Sequence, residues 1–318
     1  MTLPEIVMSI RSFLRLAAVS GRVLVGIDEL DKMESGTAAV SFINDIKGIF
    51  GVPNCFFLIS ISEEAMSGFE RRGLPFRDVF DSSLDEVVRL GPLSMFEAEE
   101  LLNRRVLNMP TPFKALLYAF TGGFARDLIR GARALVAIGV AHPDEAIDLE
   151  EAARALVGSD IKRKMLAAVY LLRGSPSDQE RSAVVKWCLK AAELDEPTPQ
   201  LLEGQLELLS KVEPLKTEND GKAGVIFSVA LEMSSYVYFC MTLLEVFSPA
   251  RLYAQGRSEE ERRATVERLA RVRGLFSTDV LVAWSSLSEI RGSEGLSILV
   301  PVRGFGSLVS DEGSSARQ

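Results

Sequence analysis

Histidine and cysteine, which often carry metal-binding or nucleophilic chemistry, are scarce in this sequence of 318 residues. The one histidine, His142, lies in the segment AHPDEA, which is typical of a turn between helices. Cys55, Cys188 and Cys240 stand in apolar patterns without CxxC spacing. The sequence therefore disfavours histidine-based catalysis and a cysteine metal site. It predicts buried thiols in a reducing compartment, and we expect a cytoplasmic protein.

A phosphate-binding loop of the form GxxxxGK[ST] is also absent from the sequence. The single Gly-Lys pair, Gly221–Lys222, has Lys216 where the first glycine of that pattern would stand. Such loops hold nucleotide phosphates through backbone N–H groups and a lysine. We therefore expect this chain by itself to bind a nucleotide weakly or not at all.

Strong positive charge is absent too, since the net charge is −8. The chain therefore has no overall attraction to nucleic acid or to an anionic membrane. The apolar stretch Ile226–Phe247 is long enough to span a bilayer, but Glu232 and Glu245 interrupt it. A carboxylate near the bilayer centre costs roughly 2.5–3.5 kcal/mol. We predict a buried core helix here and keep a membrane span as the alternative.

The first ninety residues alternate between strand and helix patterns. Helical periodicity at residues 4–19 and 37–50 separates the apolar runs Arg22–Ile27 and Cys55–Ile61, and Val87–Leu90 is a third possible strand. This order predicts a parallel α/β sheet, with strands that are buried on both faces. The carboxyl ends of such strands meet at one edge of the sheet, where chemistry gathers.

From residue 93 onward the periodicity is helical. Capping boxes and Thr-Pro pairs mark helix starts at Ser94–Glu97, Thr111-Pro112, Ser177–Glu180, Thr198-Pro199 and Ser258–Glu261. The patterns predict further helices at residues 125–140 and 144–157, and a short strand within residues 293–302. We therefore predict three regions: a partial α/β core at 1–92, a helical lid at 93–158 and a helical C-terminal region at 159–318 with a disordered tail.

The first strand ends in two acids, within the segment RVLVGIDELDK. Together with FINDIKGIFGVPNCFFLISISEEA and EVVRLGPLS, this segment resembles the Walker B-to-lid half of P-loop NTPases of the AAA+ and STAND type. The KAP group and the origin-recognition type are the most similar. The resemblance covers about residues 5–157 and implies a switch or motor ATPase that uses ATP and Mg²⁺. It does not extend to a Walker A loop.

The resemblance implies roles for residues at the strand ends. Asp28 resembles the acid that holds Mg²⁺ through water, and Glu29 resembles the catalytic base. Asp31 matches the second acid of the DELD pattern, with a helix N-cap as the alternative. Ser62, or Ser60, stands at the sensor-1 position. For these serines the alternative is a small polar residue that simply ends a strand.

Arginines further along the chain also match the family pattern. Arg77 is the candidate arginine finger, in a segment that includes Arg71 and Arg72, and a solvated loop arginine is the alternative. Arg126, in TGGFARDLIRGAR, resembles the sensor-2 arginine at the start of a lid helix. From that position an arginine would reach the nucleotide.

The absent phosphate loop leaves three explanations open. We expect residues 1–318 to be the C-terminal portion of a longer ATPase, because the second strand would otherwise expose an unpaired edge. A truncated, degenerate product is the second explanation. A noncatalytic pseudo-ATPase scaffold that binds proteins is the third. In each case protein partners or self-assembly are expected, and this chain alone is expected to be inactive as an ATPase.

Nucleic acid is a further possible partner, for which the sequence offers only two candidate helices. Ile161–Lys164 is a short basic run, and Glu259–Arg273 mixes positive and negative charges evenly. The mixed helix is more typical of a solvated or partner-facing surface than of a recognition helix.

Overall fold

A computed structural model describes residues 2–28, 36–61, 85–86, 88–141, 147–174, 179–210 and 221–299. The chain divides into two units, Met1–Leu90 and Gly91–Gln318. In the described residues, the first unit contains a small parallel sheet and the second is helical. This arrangement confirms the coarse prediction of a minor α/β part and a large helical part.

The first unit consists of α1 (Leu3–Ala17), β1 (Val23–Ile27), α2 (Gly36–Phe50) and β2 (Cys55–Ile59). The two strands pair in parallel, with Val23 opposite Cys55. Asn54 has the left-handed φ of 62° in the turn that enters β2, and its carbonyl accepts a hydrogen bond from Val23 N at 2.9 Å. The predicted strand–helix–strand order is therefore confirmed for its first two strands.

The core of this unit lies on one face of the sheet. Four residues from α1, α2 and the turn before β2 are buried, namely Leu14, Ile46, Ile49 and Val52. Inward-facing strand residues such as Val25 and Phe57 pack on them. On the other face, Leu24, Phe56 and Leu58 are exposed by 67%, 53% and 63%. The prediction of strands buried on both faces is therefore wrong, because the two described helices of this unit pack on the same face.

The predicted third strand is not found in the described residues. Residues 88–90 have no strand structure, and residue 87 lies outside the described part. Val88 and Leu90 are exposed by 68% and 93%. An apolar run becomes a strand only where a partner strand and a packing surface are available, and this run has neither among the described residues.

The second unit contains a long series of helices. In chain order they are α3 (Met95–Asn103), α4 (Thr111–Thr121), α5 (Ala125–Ala141), α6 (Leu149–Leu171), α7 (Gln179–Ala192), α8 (Pro199–Ser210), α9 (Gly221–Val246), α10 (Glu259–Leu275) and α11 (Val280–Ser293). A short 3₁₀ turn, Leu172–Gly174, follows α6. Buried residues from α3 through α11 form one continuous core. The predicted lid helices therefore share their core with the C-terminal helices.

Several predicted helix starts are confirmed by their caps. Ser94 and Glu97 form a capping box, with Glu97 N donating to Ser94 Oγ at 3.3 Å and Ser94 N donating to Glu97 Oε2 at 2.8 Å. Ser258 caps α10 in the same way, and Thr198 Oγ1 accepts from Leu201 N at 3.3 Å. α4 differs by one residue, because Pro110 is its N-cap and Thr111 is already helical.

The predicted helix at residues 144–157 is wrong in both bounds. The carboxylate of Asp148 accepts a hydrogen bond from Glu151 N at 2.7 Å, so α6 begins at Leu149. The helix then continues through Gly158, where we predict a domain boundary, to Leu171. Gly158 lies within the helix and makes room for a neighbouring loop. A Cβ there would lie 2.9 Å from the carbonyl oxygen of Asp195 and 3.0 Å from Pro197.

The apolar helix α9 lies in the core of the second unit. Within the described residues it is the one helix that is long and apolar enough to cross a membrane, and 67% of its apolar window is buried inside the protein. Glu232 is exposed, whereas Glu245 accepts a hydrogen bond from the fully buried Arg291 of α11. The predicted core position is confirmed.

The predicted strand within residues 293–302 is not found in its described part, residues 293–299. These residues finish α11 and then pack on the helices through side-chain hydrogen bonds. Arg291 Nε donates to the Ser297 carbonyl at 2.6 Å, and Leu299 N donates to the Tyr238 hydroxyl at 3.3 Å. Side chains of α9 and α11 thus satisfy two of the backbone groups that a strand would have paired.

The close contact at Gly158 gives a stability prediction. An alanine normally stabilises a helix interior relative to glycine, but in Gly158→Ala the clash with Asp195 and Pro197 should lower the free energy of unfolding by about 1–3 kcal/mol. Gly204, inside α8, has nothing within 4 Å of the position that a Cβ would take. Gly204→Ala should therefore raise the free energy of unfolding by about 0.5–1 kcal/mol. Urea denaturation of both variants measures the two changes, and equal effects would contradict this packing.

Candidate functional site

The carboxyl ends of β1 and β2 bring two predicted site residues together. Ser60 N donates to the Ile27 carbonyl at 2.9 Å, which extends the parallel ladder by one step. This step places Ser60 beside Asp28, and the Ser60 hydroxyl donates a hydrogen bond to the Asp28 carboxylate. Both residues are exposed. The edge therefore offers an accessible carboxylate whose orientation is fixed by a neighbouring strand.

Several predicted site residues lie outside the described part of the chain. They are Glu29, Asp31, Ser62, Arg71, Arg72 and Arg77, and His142 is also among the undescribed residues. Their predicted roles as base, cap, sensor and arginine finger stay predictions. Of the proposed first-unit residues, the structure brings together Asp28 and the alternative sensor serine, Ser60.

Arg126 belongs to the second unit, in the first turn of α5. The Gly122–Gly123 turn before it has left-handed φ values of 70° and 78°, which favour glycine and end α4 as predicted. Arg126 is exposed and makes no ion pair or hydrogen bond with the residues that the structure describes. Asp127, beside it, pairs with Arg130 at 3.5 Å.

The structure offers no preformed multi-ligand metal site in its described residues. Nowhere in that part of the chain do three or more His, Cys, Asp or Glu side chains gather closely enough to hold an ion. Cys188 and Cys240 are buried, as predicted, whereas Cys55 is only half-buried, and burial raises the pKa of the Cys188 thiol to about 12.

A second group of charged residues lies between α6, α9 and α10. Tyr236, on α9, is buried and its hydroxyl donates a hydrogen bond to the Asp160 carboxylate of α6. Arg163 Nε donates to the other oxygen of the same carboxylate at 3.2 Å. Burial alone would raise the pKa of Asp160, but these two hydrogen bonds outweigh it and hold the pKa below 3.8. Asp160 is thus a bound, ionised carboxylate.

Two further cations approach the same tyrosine ring. Lys164 Nζ lies over the ring at 4.7 Å from its centroid, and Arg273 Cζ lies over it at 5.6 Å. The ring itself contacts Phe239 at 6.1 Å and Phe276 at 6.0 Å between centroids. Burial and the charge of Arg273 lower the pKa of Lys164. We call Lys164, Arg273 and Tyr236 the Tyr236 cluster.

Two more ion networks in the helical unit are satisfied internally. Glu294 accepts hydrogen bonds from Arg257 at 2.7 and 2.8 Å and from Thr265 at 2.8 Å. Arg291 is fully buried and donates to Glu245 and, at 3.0 Å, to Thr242. Every charge in these networks has a partner, so their contribution is to the fold.

Sequence reasoning missed the Tyr236 cluster as a unit. In the sequence, the basic run Ile161–Lys164 is notable only as a candidate for nucleic-acid contact, and α10 only as a mixed-charge helix. No local pattern connects Lys164 with Arg273, because they meet through the packing of α6 and α10 on Tyr236. The one available signal is a tyrosine within the long apolar stretch Ile226–Phe247.

Comparisons with known proteins give no match. No protein-family model matches the sequence. No curated protein and no solved structure matches it either. Function is therefore inferred from the geometry of the chain itself.

The hydrogen bond from the Tyr236 hydroxyl to Asp160 predicts that loss of this hydroxyl has a pH-dependent effect on stability. In Tyr236→Phe the buried side of the carboxylate loses its donor, which should lower the free energy of unfolding by about 1–3 kcal/mol at neutral pH. Because the folded-state pKa lies below the ordinary 3.8, this stabilisation is present above that value and is lost as the pH falls through the lowered pKa. The difference between wild type and variant should therefore shrink below pH 3.8.

Urea denaturation from neutral pH down to about pH 3 measures this difference across the titration range. Tyr170→Phe is the matched control, since Tyr170 is on α6 and is 68% exposed. The control should change stability by less than about 0.5 kcal/mol at every pH. A Tyr236→Phe effect that stays constant with pH would contradict the proposed bond to the ionised carboxylate.

Proposed function

We propose that this chain carries the Mg²⁺- and water-binding end of an ATPase-type nucleotide switch of the AAA+ and STAND kind. The observation that carries this proposal is the pairing of Asp28 with Ser60 at the carboxyl ends of adjacent parallel strands. Ligands of open α/β sheets bind at that edge. An acid on one strand and a small polar residue on the next is the arrangement that the Walker B and sensor-1 roles require.

The chemistry of each residue follows from the position. The Asp28 carboxylate would accept hydrogen bonds from water molecules around Mg²⁺, and the Ser60 hydroxyl would fix the direction of that carboxylate. Glu29, the next residue in the sequence, would polarise the attacking water. Ser62 and Arg77 keep their proposed sensor and finger roles, and Arg126 its proposed role as sensor 2.

In this proposal the grip on the β and γ phosphates comes from residues other than those of this sequence. The 318 residues contain no GxxxxGK[ST] pattern, so no loop of that kind holds the β and γ phosphates. Hydrolysis would then depend on a second polypeptide segment, and its effect would pass to the helical unit. Because the lid helices α3–α5 share one core with α6–α11, the whole helical unit would respond as one body.

Calorimetric titration of the purified chain with Mg-ATP tests this proposal. We expect no saturable binding at micromolar concentrations of nucleotide, and no hydrolysis. A carboxylate without a phosphate loop provides few contacts to the nucleotide. Weak binding at millimolar nucleotide should require Mg²⁺ and should be lost in Asp28→Asn. Asp45→Asn, which removes an exposed carboxylate of α2 in the same unit, is the control and should change nothing.

Two results would contradict the proposal in different ways. Micromolar binding and hydrolysis that Asp28→Asn abolishes would show that this chain grips the nucleotide without help. Mg²⁺-dependent binding that persists in Asp28→Asn would show that Asp28 is not part of the site.

A noncatalytic scaffold that binds proteins through the first unit is the second candidate function. The exposed apolar sheet face of Leu24, Phe56 and Leu58 favours it, because apolar patches on a sheet commonly mark an interface. In this case the Asp28–Ser60 bond would only end the ladder. Removing the carboxylate would then have no functional effect.

The exposed sheet face gives a prediction that separates stability from association. In Leu24→Thr with Leu58→Thr, the free energy of unfolding should change by less than about 0.5 kcal/mol per site, because both side chains face solvent. Ile49→Ala, on the covered face, should lower it by about 2–5 kcal/mol. If the face is an interface between copies, the threonine variant should sediment as a smaller species than the wild type. Unchanged sedimentation would exclude self-association through this face.

A further inference from the structure

We propose that Lys164 and Arg273 of the Tyr236 cluster bind a phosphate group on the helical unit, at a site separate from the Asp28 edge. The proposal stands on the convergence of two cations from different helices over one buried aromatic ring. It does not depend on the ATPase proposal, because no residue of the first unit takes part.

The geometry holds the two cations close together on a rigid support. Lys164 Nζ lies 4.7 Å and Arg273 Cζ lies 5.6 Å from the Tyr236 centroid. The two charges are therefore near enough to interact through the screening of the solvent. Arg273 is held at its stem, since its Cβ and Cγ lie against Gly122, where an added Cβ would approach them to 3.2 and 3.1 Å. Phe276 packs edge-on against the tyrosine ring at 6.0 Å and limits its movement.

The Asp160 carboxylate attracts Lys164, but in the described part of the chain it forms no ion pair with either cation. The one carboxylate beside them, that of Asp160, is already bonded by Tyr236 and Arg163. Lys164 and Arg273 make no ion pair or hydrogen bond with another described residue, and the buried Nε of Arg273 has no acceptor. Two partly buried like charges repel and are poorly hydrated, so an anion bound to both would offset that repulsion.

The types of side chain indicate a phosphate group. A guanidinium offers a planar pair of donors that fits two phosphate oxygens, and an ammonium adds a compact point charge. Arg163, on the same helix as Lys164, is paired with Asp160, so these two charges offset each other and Lys164 and Arg273 supply the positive charge of the site. The group can be free phosphate or the phosphate of a nucleotide, and the experiment separates these two sources.

Thermal unfolding in the presence of each ligand tests the site. Inorganic phosphate and ADP without Mg²⁺ are added in separate series, with sodium chloride keeping the ionic strength constant. We expect the Tm of the wild type to rise by about 2–5 °C in a saturable way with at least one of them. The rise should be lost in Lys164→Gln with Arg273→Gln, and mostly lost in Lys164→Gln alone, which keeps the Arg273 stem against Gly122.

Matched controls separate specific binding from general effects of charge and from the effect of phosphate salts on water. Lys162→Gln with Arg271→Gln takes two exposed cations from the same helices and should keep the full rise. Asp28→Asn should also keep it, so that failure here and failure of the ATPase proposal are distinguishable. A rise with phosphate indicates free phosphate, and a rise with ADP alone indicates a nucleotide. No rise with either ligand, or an equal rise in both double variants, would overturn the site.

Discussion

The parallel hydrogen-bonded ladder between β1 and β2 is the interaction on which the proposed site depends. A parallel pair aligns both carboxyl ends at one edge, and the extra bond from Ser60 N to the Ile27 carbonyl carries the alignment to the next residue. An antiparallel pair would place Asp28 and Ser60 at opposite ends of the sheet. The same ladder leaves one sheet face uncovered in the described residues, so the feature that creates the site also creates an exposed apolar surface.

In the helical unit, burial of α9 organises the charges. The long apolar helix contributes Tyr236 and Glu245, and each is bonded by a charged residue of another helix, Asp160 on α6 and Arg291 on α11. These pairs lie at fixed places because burying an unpaired polar group costs free energy. Lys164 and Arg273 differ from these pairs, because neither forms an ion pair or hydrogen bond with a described residue. This difference is the basis of the proposed phosphate site.

Local rules allowed much of the fold to be predicted from the sequence. Capping boxes located the starts of α3 and α10, and the alternation of strand and helix patterns predicted the parallel pair of β1 and β2. Prediction failed where distant packing decides the outcome. The predicted helix ends at residue 157, yet α6 continues, and a loop around Asp195 packs closely against Gly158. Residues 88–90 are apolar enough for a strand but have no described partner to pair with. The Tyr236 cluster joins three helices and has no local signature.

The central claim, that Asp28 and Ser60 form the metal end of a nucleotide site, is tested most directly by paramagnetic broadening. Mn²⁺ replaces Mg²⁺ in complexes with ATP and broadens the NMR signals of nearby backbone amides, even when binding is weak. With Mn-ATP added to the whole chain, the account predicts selective broadening at Asp28 and Ser60 that Asp28→Asn abolishes. Sharp signals at both residues, or broadening that survives Asp28→Asn, would contradict it.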